Sequence, residues 1–330
     1  MRSTVLVVTS LEDVTSDQVI DVLNKRGSSV VRVDPADIGR GLSFEAHIDA
    51  ASGEWSGRLC TPTRSVRLEE IRAVYYRRPT PYANRFAHLS KQQQAFATAE
   101  AKHGLGGVLA NLPTARYVNH PQAVTAADFK PTQLRIAAQL GFAIPRTLIT
   151  NEVQAAGEFA REHGPVIYKT FRGLPLSEDG TTGAIWTQRV APSSFDSSLS
   201  VTAHLFQKEI PKSGDVRVTV VGRRAFATRI TAPHDELDWR RGHWDELTHV
   251  AVRLPPSIET ALFHYLAAFD LVFGCFDFAL TGPADDPGHW IWIECNPNGQ
   301  WGWLPEATDI AEAFADVLME KETGGEHVTR

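Results

Sequence analysis

Three oxygen-bearing side chains stand out: Asp277 in the apolar run Cys275-Phe276-Asp277-Phe278, and Glu294 with Asn296 in Trp292-Ile293-Glu294-Cys295-Asn296-Pro297-Asn298-Gly299. Glu294 and Asn296 are two residues apart, so on a strand they share a face, and a paired strand brings Asp277 beside them. Two carboxylates and an amide are hard donors that suit Mg²⁺, an ion that keeps waters and takes its remaining ligands from phosphates. A carboxylate among apolar neighbours is unfavourable unless paired or metal-bound, which sets this reading above that of two solvated strand ends. Matching cations lie upstream: Lys130 at a helix, Lys169 closing Val166-Ile167-Tyr168-Lys169, and Arg217 and Arg229 in a later strand pair. Lys169 and Arg217 sit in strands of strong apolar character, where a cation needs an anion beside it. The phosphates of a nucleotide supply one.

The elements that must position these residues follow from periodicity. Residues 4–9 form a continuous apolar run, residues 13–24 an amphipathic helix stopped at Gly27, and residues 29–33 a β-branched strand. Such a βαβ unit implies parallel strands with helices on the sheet faces. A hairpin is expected over 44–48 and 55–59, and a strand over 71–76 that ends at Arg77-Arg78-Pro79. Residues 90–112 read as helical despite Gly104, Gly106 and Gly107, which match neither GxGxxG nor GxxxxGKS and so make no phosphate loop. A helix is expected over 126–140, and strands over 166–169, 205–210, 216–221 and 225–230, the last two joined at Gly222-Arg223. Helices over 257–269 and 310–321 flank strands at 274–280 and 290–294. The fold class is α/β, turning α+β in the C-terminal parts. Sub-domain boundaries fall near Val118 and residue 206, and a disordered tail is expected over 323–330.

The chain has 330 residues, enough for two or three cores, with 43% hydrophobic and 22% charged residues, which excludes disordered, collagen-like and disulfide-scaffold classes. Acidic residues outnumber basic ones 39 to 33, a net charge of -6 that argues against non-specific nucleic-acid binding. Cys60, Cys275 and Cys295 are odd in number and lack CxxC spacing, as suits a reducing cytoplasm. The apolar run at 5–8 is too short for a signal-peptide core, and no stretch reaches the roughly 18 apolar residues of a membrane helix.

Taken together, Lys130, the strand ending at Lys169, Gln207-Lys208-Glu209-Ile210, Asp215-Val216-Arg217, Asp277 and Glu294-Cys295-Asn296-Pro297-Asn298-Gly299 resemble the ATP-grasp carboxylate–amine ligases. Thr9-Ser10-Leu11-Glu12-Asp13-Val14-Thr15, Tyr75-Tyr76-Arg77-Arg78-Pro79, Val118-Asn119-His120-Pro121, Phe129-Lys130-Pro131 and Asn298-Gly299-Gln300-Trp301-Gly302-Trp303 narrow the resemblance to the ATP-grasp ribosomal peptide maturases, or graspetide synthetases. The resemblance covers nearly the whole chain. It implies a pre-ATP-grasp α/β domain over 1–117, a central ATP-grasp sub-domain over 118–205 and a C-terminal one with the metal site over 206–322. It also implies that Lys130 and Lys169 hold ATP phosphates, that Gln207, Lys208, Glu209 and Ile210 form the adenine hinge, and that Mg²⁺ sits at Asp277, Glu294 and Asn296. Arg217 and Arg229 then stand near the transferred phosphoryl, Asp215 near ribose or peptide, and the working unit is a homodimer. Thr170 and Cys295 depart from the motif, where proline and isoleucine are more usual, without removing a charge.

The implied chemistry is ATP-dependent phosphorylation of a Glu or Asp side chain in a ribosomal precursor peptide. Attack on the acyl phosphate by a Thr or Ser hydroxyl, or a Lys amine, closes an ester or amide macrocycle and releases ADP and phosphate. The signatures favour the ester branch. Water must be excluded meanwhile, which assigns a lid to 172–183, and the charged loop 232–249 is read as a peptide-binding loop in which Arg240 or Arg241 guides acidic side chains. Arg77 and Arg78 are either surface cations or contacts to peptide carboxylates. The alternatives are a ligase adding free amino acids to a protein or small acid, and a nucleotide-binding regulator without turnover.

Overall fold

β1 (Thr4–Val8) buries all five of its side chains, as a strand covered on both faces of a parallel sheet must. Asp13 starts α1 (Val14–Lys25) by accepting the Thr15 amide on its side chain, and the helix returns the chain to β2 (Ser29–Val33), parallel to β1. A small antiparallel sheet follows, built from β3 (Ser43–His47), β4 (Ser56–Cys60) and β5 (Ser65–Arg67). Then come β6 (Ile71–Tyr76), α2 (Tyr82–Arg85), α3 (Lys91–His103), α4 (Leu105–Leu109) and β7 (Arg116–Val118). The helix expected over 90–112 is divided at Gly104, whose amide closes α3 on the Glu100 carbonyl. The first sheet is parallel throughout, in the order β2-β1-β6-β7. This computed structural model describes residues 4–171, 185–232, 237–241 and 244–320. The expected lid over 172–183, the tail over 323–330 and parts of the 232–249 loop lie outside them.

Where one helix was expected over 126–140 there are two, α5 (Pro121–Ala127) and α6 (Lys130–Gln139), separated at Asp128 and Phe129. The extended Phe129 and Pro131 in the first turn make Lys130 the first residue of α6. β8 (Thr147–Thr150), α7 (Val153–His163), β9 (Val166–Lys169), β10 (Gln188–Val190) and β11 (His204–Lys208) complete this part. Its antiparallel sheet runs β10-β9-β11-β8.

The third sheet runs β14-β13-β12-β15-β16, antiparallel throughout. It contains β12 (Gly214–Val221), β13 (Arg224–Thr231), β14 (Thr248–Ala251), then α8 (Pro256–Ala268), β15 (Phe273–Leu280) and β16 (Trp290–Asn296). Gly222, at φ 58, turns the β12–β13 hairpin. Alternation divides β12 cleanly. Val216, Val218 and Val220 face a core with Leu262 and Tyr265 of α8, while Val221 faces a second core with Phe314 of α9 (Ala307–Met319). That second core also contains Val5, Val7 and Tyr75, so α9 joins the first and third sheets: Tyr75 lies 4.9 Å and Trp301 5.2 Å from Phe314, ring to ring. No helix of the described residues is long and apolar enough to cross a membrane.

Candidate active site

Four residues of the third sheet are successive register partners: Thr228, Arg217, Asp277 and Glu294. Register partners share a face, so Arg217, Asp277 and Glu294 form a charged row across three strands, on the face opposite Val216. The Arg217 guanidinium grips Asp277 in a fork, Nε to Oδ1 and Nη2 to Oδ2 at 2.9 Å each. Its remaining Nη1 donates to the Gln300 carbonyl at 3.1 Å, and its plane lies 5.4 Å from the Trp239 ring and 5.7 Å from that of Trp303. Burial works against the charge on Arg217, but Asp277 outweighs it and strengthens the protonated form.

Lys130 closes the row by bonding Glu294. The helix is registered on the strand one turn later, where Gln133 donates to the Cys295 carbonyl at 2.9 Å and accepts the Cys295 amide at 3.2 Å. Lys130, reinforced by Lys169 and Arg240, holds Glu294 well below the usual carboxylate range despite its burial. Burial pulls Lys169 down, opposed by Glu294. Asp215 stands on the same face as Arg217, two residues before it, and burial pushes it up to about 6 against the Lys212 ammonium 2.6 Å away.

These groups border two connected spaces. A cleft of about 720 Å³ is lined by Arg78, Lys130, Lys169, Arg240, Glu294 and Asn296. A recess of about 80 Å³ shares Lys169, Arg240 and Glu294 and adds Gln207, Lys208, Ile210, Asp215 and Asp277. Gln207 donates to Thr147 at 3.0 Å and leaves its buried Oε1 without a partner among the described residues. The amides of Lys208 and Glu209 are occupied by the Arg146 and Pro165 carbonyls, at 2.9 and 2.8 Å. The Glu209 carboxylate pairs with Arg189 and borders a third space of about 450 Å³, which shares Ile210, Lys212 and Asp215 with the recess. Arg240 is forked onto Asp238 at 2.8 and 2.7 Å and lies over Trp186.

Three expectations change. Arg229 pairs with Val216, so it points away from the Arg217 face; it donates to the Ser213 carbonyl at 2.9 Å and borders neither the cleft nor the recess. Arg77 is neither a surface cation nor a peptide contact: it is wholly buried, bonded to Asp13, the Gly299 carbonyl and Gln300. Arg217 stands behind Asp277, to which it is bonded, and lines neither space. Arg78 does face the cleft, and its guanidinium makes no hydrogen bond or ion pair with a described residue.

The donor set fits Mg²⁺. Asp277 and Glu294 lie side by side, Glu294 is held ionised, and the Asn296 amide oxygen is oriented by the Asn298 amide at 3.0 Å. Among the described residues no three His, Cys, Asp or Glu side chains gather to hold an ion unaided. An ion here needs oxygens from outside the protein, as Mg²⁺ has beside phosphates. Sequence reasoning missed Gln133, Lys212 and Gln300, whose roles depend on which segments meet.

Residues 4–125 match the family model of the MvdD pre-ATP grasp domain. No curated protein matches the chain. Among solved structures, the Chryseobacterium gregarium RiPP-associated ATP-grasp ligase, in complex with ADP and a leader and core peptide, is similar at 28% identity. The likeness covers 96% of each chain with a TM-score of 0.85. The macrocyclase MdnB from Microcystis aeruginosa MRC is 27% identical over 96% of this chain and 99% of its own, with a TM-score of 0.77. The macrocyclase MdnC of the same organism, bound with precursor peptide MdnA, shares the fold at 24% identity and a TM-score of 0.83, over 96% of this chain and 98% of its own. Fold and site together define an ATP-grasp ligase. Within that class the chain is similar to the RiPP-associated ligase and the macrocyclases named above, and its residues 4–125 carry the MvdD pre-ATP grasp domain.

Proposed function

We propose that the protein uses ATP to phosphorylate Glu or Asp side chains of a ribosomal precursor peptide and closes them onto Thr or Ser hydroxyls, or Lys amines, of the same peptide. The first step transfers the γ-phosphoryl to a carboxylate oxygen and releases ADP. In the second the nucleophile attacks the acyl carbon, loses its proton and expels phosphate, so each ring removes one water. The charged row of Arg217, Asp277, Glu294 and Lys130, in which Lys130 and Glu294 line the cleft, Asp277 the adjoining recess and Arg217 stands behind Asp277, carries this reading.

Each residue has a task in it. Lys130 and Lys169 receive the phosphates, and the segment from Gln207 through Lys208 and Glu209 to Ile210 borders the adenine, with the unpartnered Gln207 oxygen as an acceptor for an exocyclic amine. Asp215 takes the ribose or the peptide backbone. Asp277, Glu294 and Asn296 would hold Mg²⁺, which would offset the charge of the phosphates. Cations fixed in place before reaction stabilise the charge that develops on the transferred phosphoryl, by several kcal/mol in comparable sites. Arg78 and Arg240, at the open side of the cleft, meet the acidic side chains of the peptide. ATP thus lies between the units over 118–205 and 206–322, with 1–117 packed behind them.

The family resemblance supports a homodimer, and the three free thiols suit the cytoplasm. Incubating the protein with ATP, Mg²⁺ and the precursor encoded beside its gene is expected to lower the peptide mass by one water per ring. Unchanged mass, with or without an added free amino acid, sinks the reading; a gain equal to an added amino acid favours the alternative ligase. Light scattering tests the dimer.

A further inference from the structure

The segment that follows Asn296 is held by the first sheet as well as by its own. Arg77, at the end of β6, donates Nη1 to the Gly299 carbonyl at 2.8 Å and Nη2 to the Gln300 side-chain oxygen at 2.5 Å. Thr15, in the first turn of α1, donates to the same Gln300 oxygen at 3.0 Å. Asp13 holds Arg77 in turn, accepting Nε at 2.9 Å, and is itself fixed by Thr9 and Ser16 at 3.1 and 2.9 Å. Gln18 reaches the Gly302 carbonyl at 3.1 Å, and Asn119 the Pro297 carbonyl at 2.9 Å.

On the other side of this segment lies the active-site row. The carbonyls of Gly299 and Gln300 are consecutive: the first accepts from Arg77, the second from Arg217 Nη1 at 3.1 Å. Two guanidiniums from different sub-domains thus grip adjacent peptide groups, and the second also carries Asp277 in its fork. A wholly buried Arg left unpaired is strongly unfavourable, so the Arg77 end of this linkage is held firmly.

We propose that Arg77 and Gln300 are positioning residues for the ligase reaction, setting Arg217, and through it the Asp277 carboxylate, from the N-terminal sub-domain. They touch no substrate. The inference rests on the ligase reading and gives the N-terminal sub-domain, whose Arg78 borders the cleft, a further part in catalysis through buried residues. Removing the Gln300 side chain frees the carbonyl that orients Arg217, while Arg77→Lys keeps a charge but presents one ammonium where a planar fork met three acceptors. Losses from partners of this outer kind run to about 10–100-fold.

The test compares Gln300→Ala, Arg77→Lys and Gln300→Glu with the wild type. Glu keeps an acceptor oxygen for both Arg77 and Thr15. Arg26→Ala serves as the control: it removes ion pairs to Glu312 and Asp316 that join α1 to α9, across the same sub-domain contact but away from residues 297–302. Initial rates of ring closure on the precursor, MgADP affinity and thermal midpoints are measured for each. Gln300→Ala and Arg77→Lys are expected to lower kcat by about 10–100-fold with MgADP affinity within about twofold, and Gln300→Glu to restore most of the rate. Wild-type kcat in folded Gln300→Ala and Arg77→Lys overturns the inference. So does a rate loss that merely follows the thermal midpoint and recurs in Arg26→Ala. A failed ligase reading shows elsewhere, as a wild type that leaves the precursor unchanged.

Discussion

At the scale of single residues, what distinguishes the site is which cation faces which carboxylate. Arg217 and Asp277 meet as planar groups through two parallel hydrogen bonds, a geometry Lys lacks even though it keeps the charge. Arg217→Lys is therefore expected to reduce ring closure by about 10–100-fold, measured as kcat, whereas Arg229→Ala, on the other face, changes it less than about threefold. Asp215 adds a pH signature. Its folded pKa of about 6 lies above the ordinary carboxylate value of 3.8, so the folded state holds this proton where the unfolded chain has released it. The resulting stability is fully present below pH 4 and is lost as pH rises through 6, by about 2–3 kcal/mol for a shift of this size. Urea denaturation at both pH values checks it: Asp215→Asn is expected to remove that part of the decline. Asp277, Glu294, Asn296, Lys130 and Lys169 were legible as a set because charge in an apolar strand demands a partner. Which partner each takes was not.

At the scale of elements, strand alternation decides what charge alone does not. Arg217 and Arg229 look equivalent in sequence, both basic and both in β-branched strands, yet the pairing of Arg229 with Val216 places it on the far face. A register is a relation between two segments, and neither segment carries it by itself. The short strands β10 and β14 escaped the periodicity reading for a related reason: three or four residues, mostly exposed, carry too little alternation to register. The break between α5 and α6 was written in Phe129-Lys130-Pro131, since proline lacks an amide hydrogen and is accommodated in the first turn of a helix but not inside one. Close packing around residues 297–302 yields a further prediction. A Cβ at Gly299 would stand 2.3 Å from the Cys275 Cβ, so Gly299→Ala forces β15 and this segment apart. A destabilisation of about 1–3 kcal/mol or more is expected in chemical denaturation, with a loss of ring closure because Arg217 shifts with its carbonyl.

At the scale of the molecule, α9 makes the first and third sheets share one core, with Trp301 and Phe314 between β1 and β6 on one side and β12 and β15 on the other. Trp301→Ala is expected to lower stability by about 3–5 kcal/mol. Because the core is common, both sheets are expected to melt together at a lower denaturant midpoint; a split transition in which the N-terminal sheet alone melts early counts against it. The sequence by itself determined the chemistry on offer: oxygen donors for a divalent ion, cations for phosphate, an α/β chain to carry them, and enough signature for a resemblance to the ATP-grasp peptide maturases. These follow from residue type and short-range spacing, where burial and charge leave few options. Tertiary structure alone decided that Arg77 braces the site from within, that Arg229 is turned away, and that Gln300 links two sub-domains. Those outcomes depend on contacts between residues far apart in the chain, such as Arg77 and Gln300, 223 positions apart, and no local pattern encodes which distant group a buried guanidinium will meet.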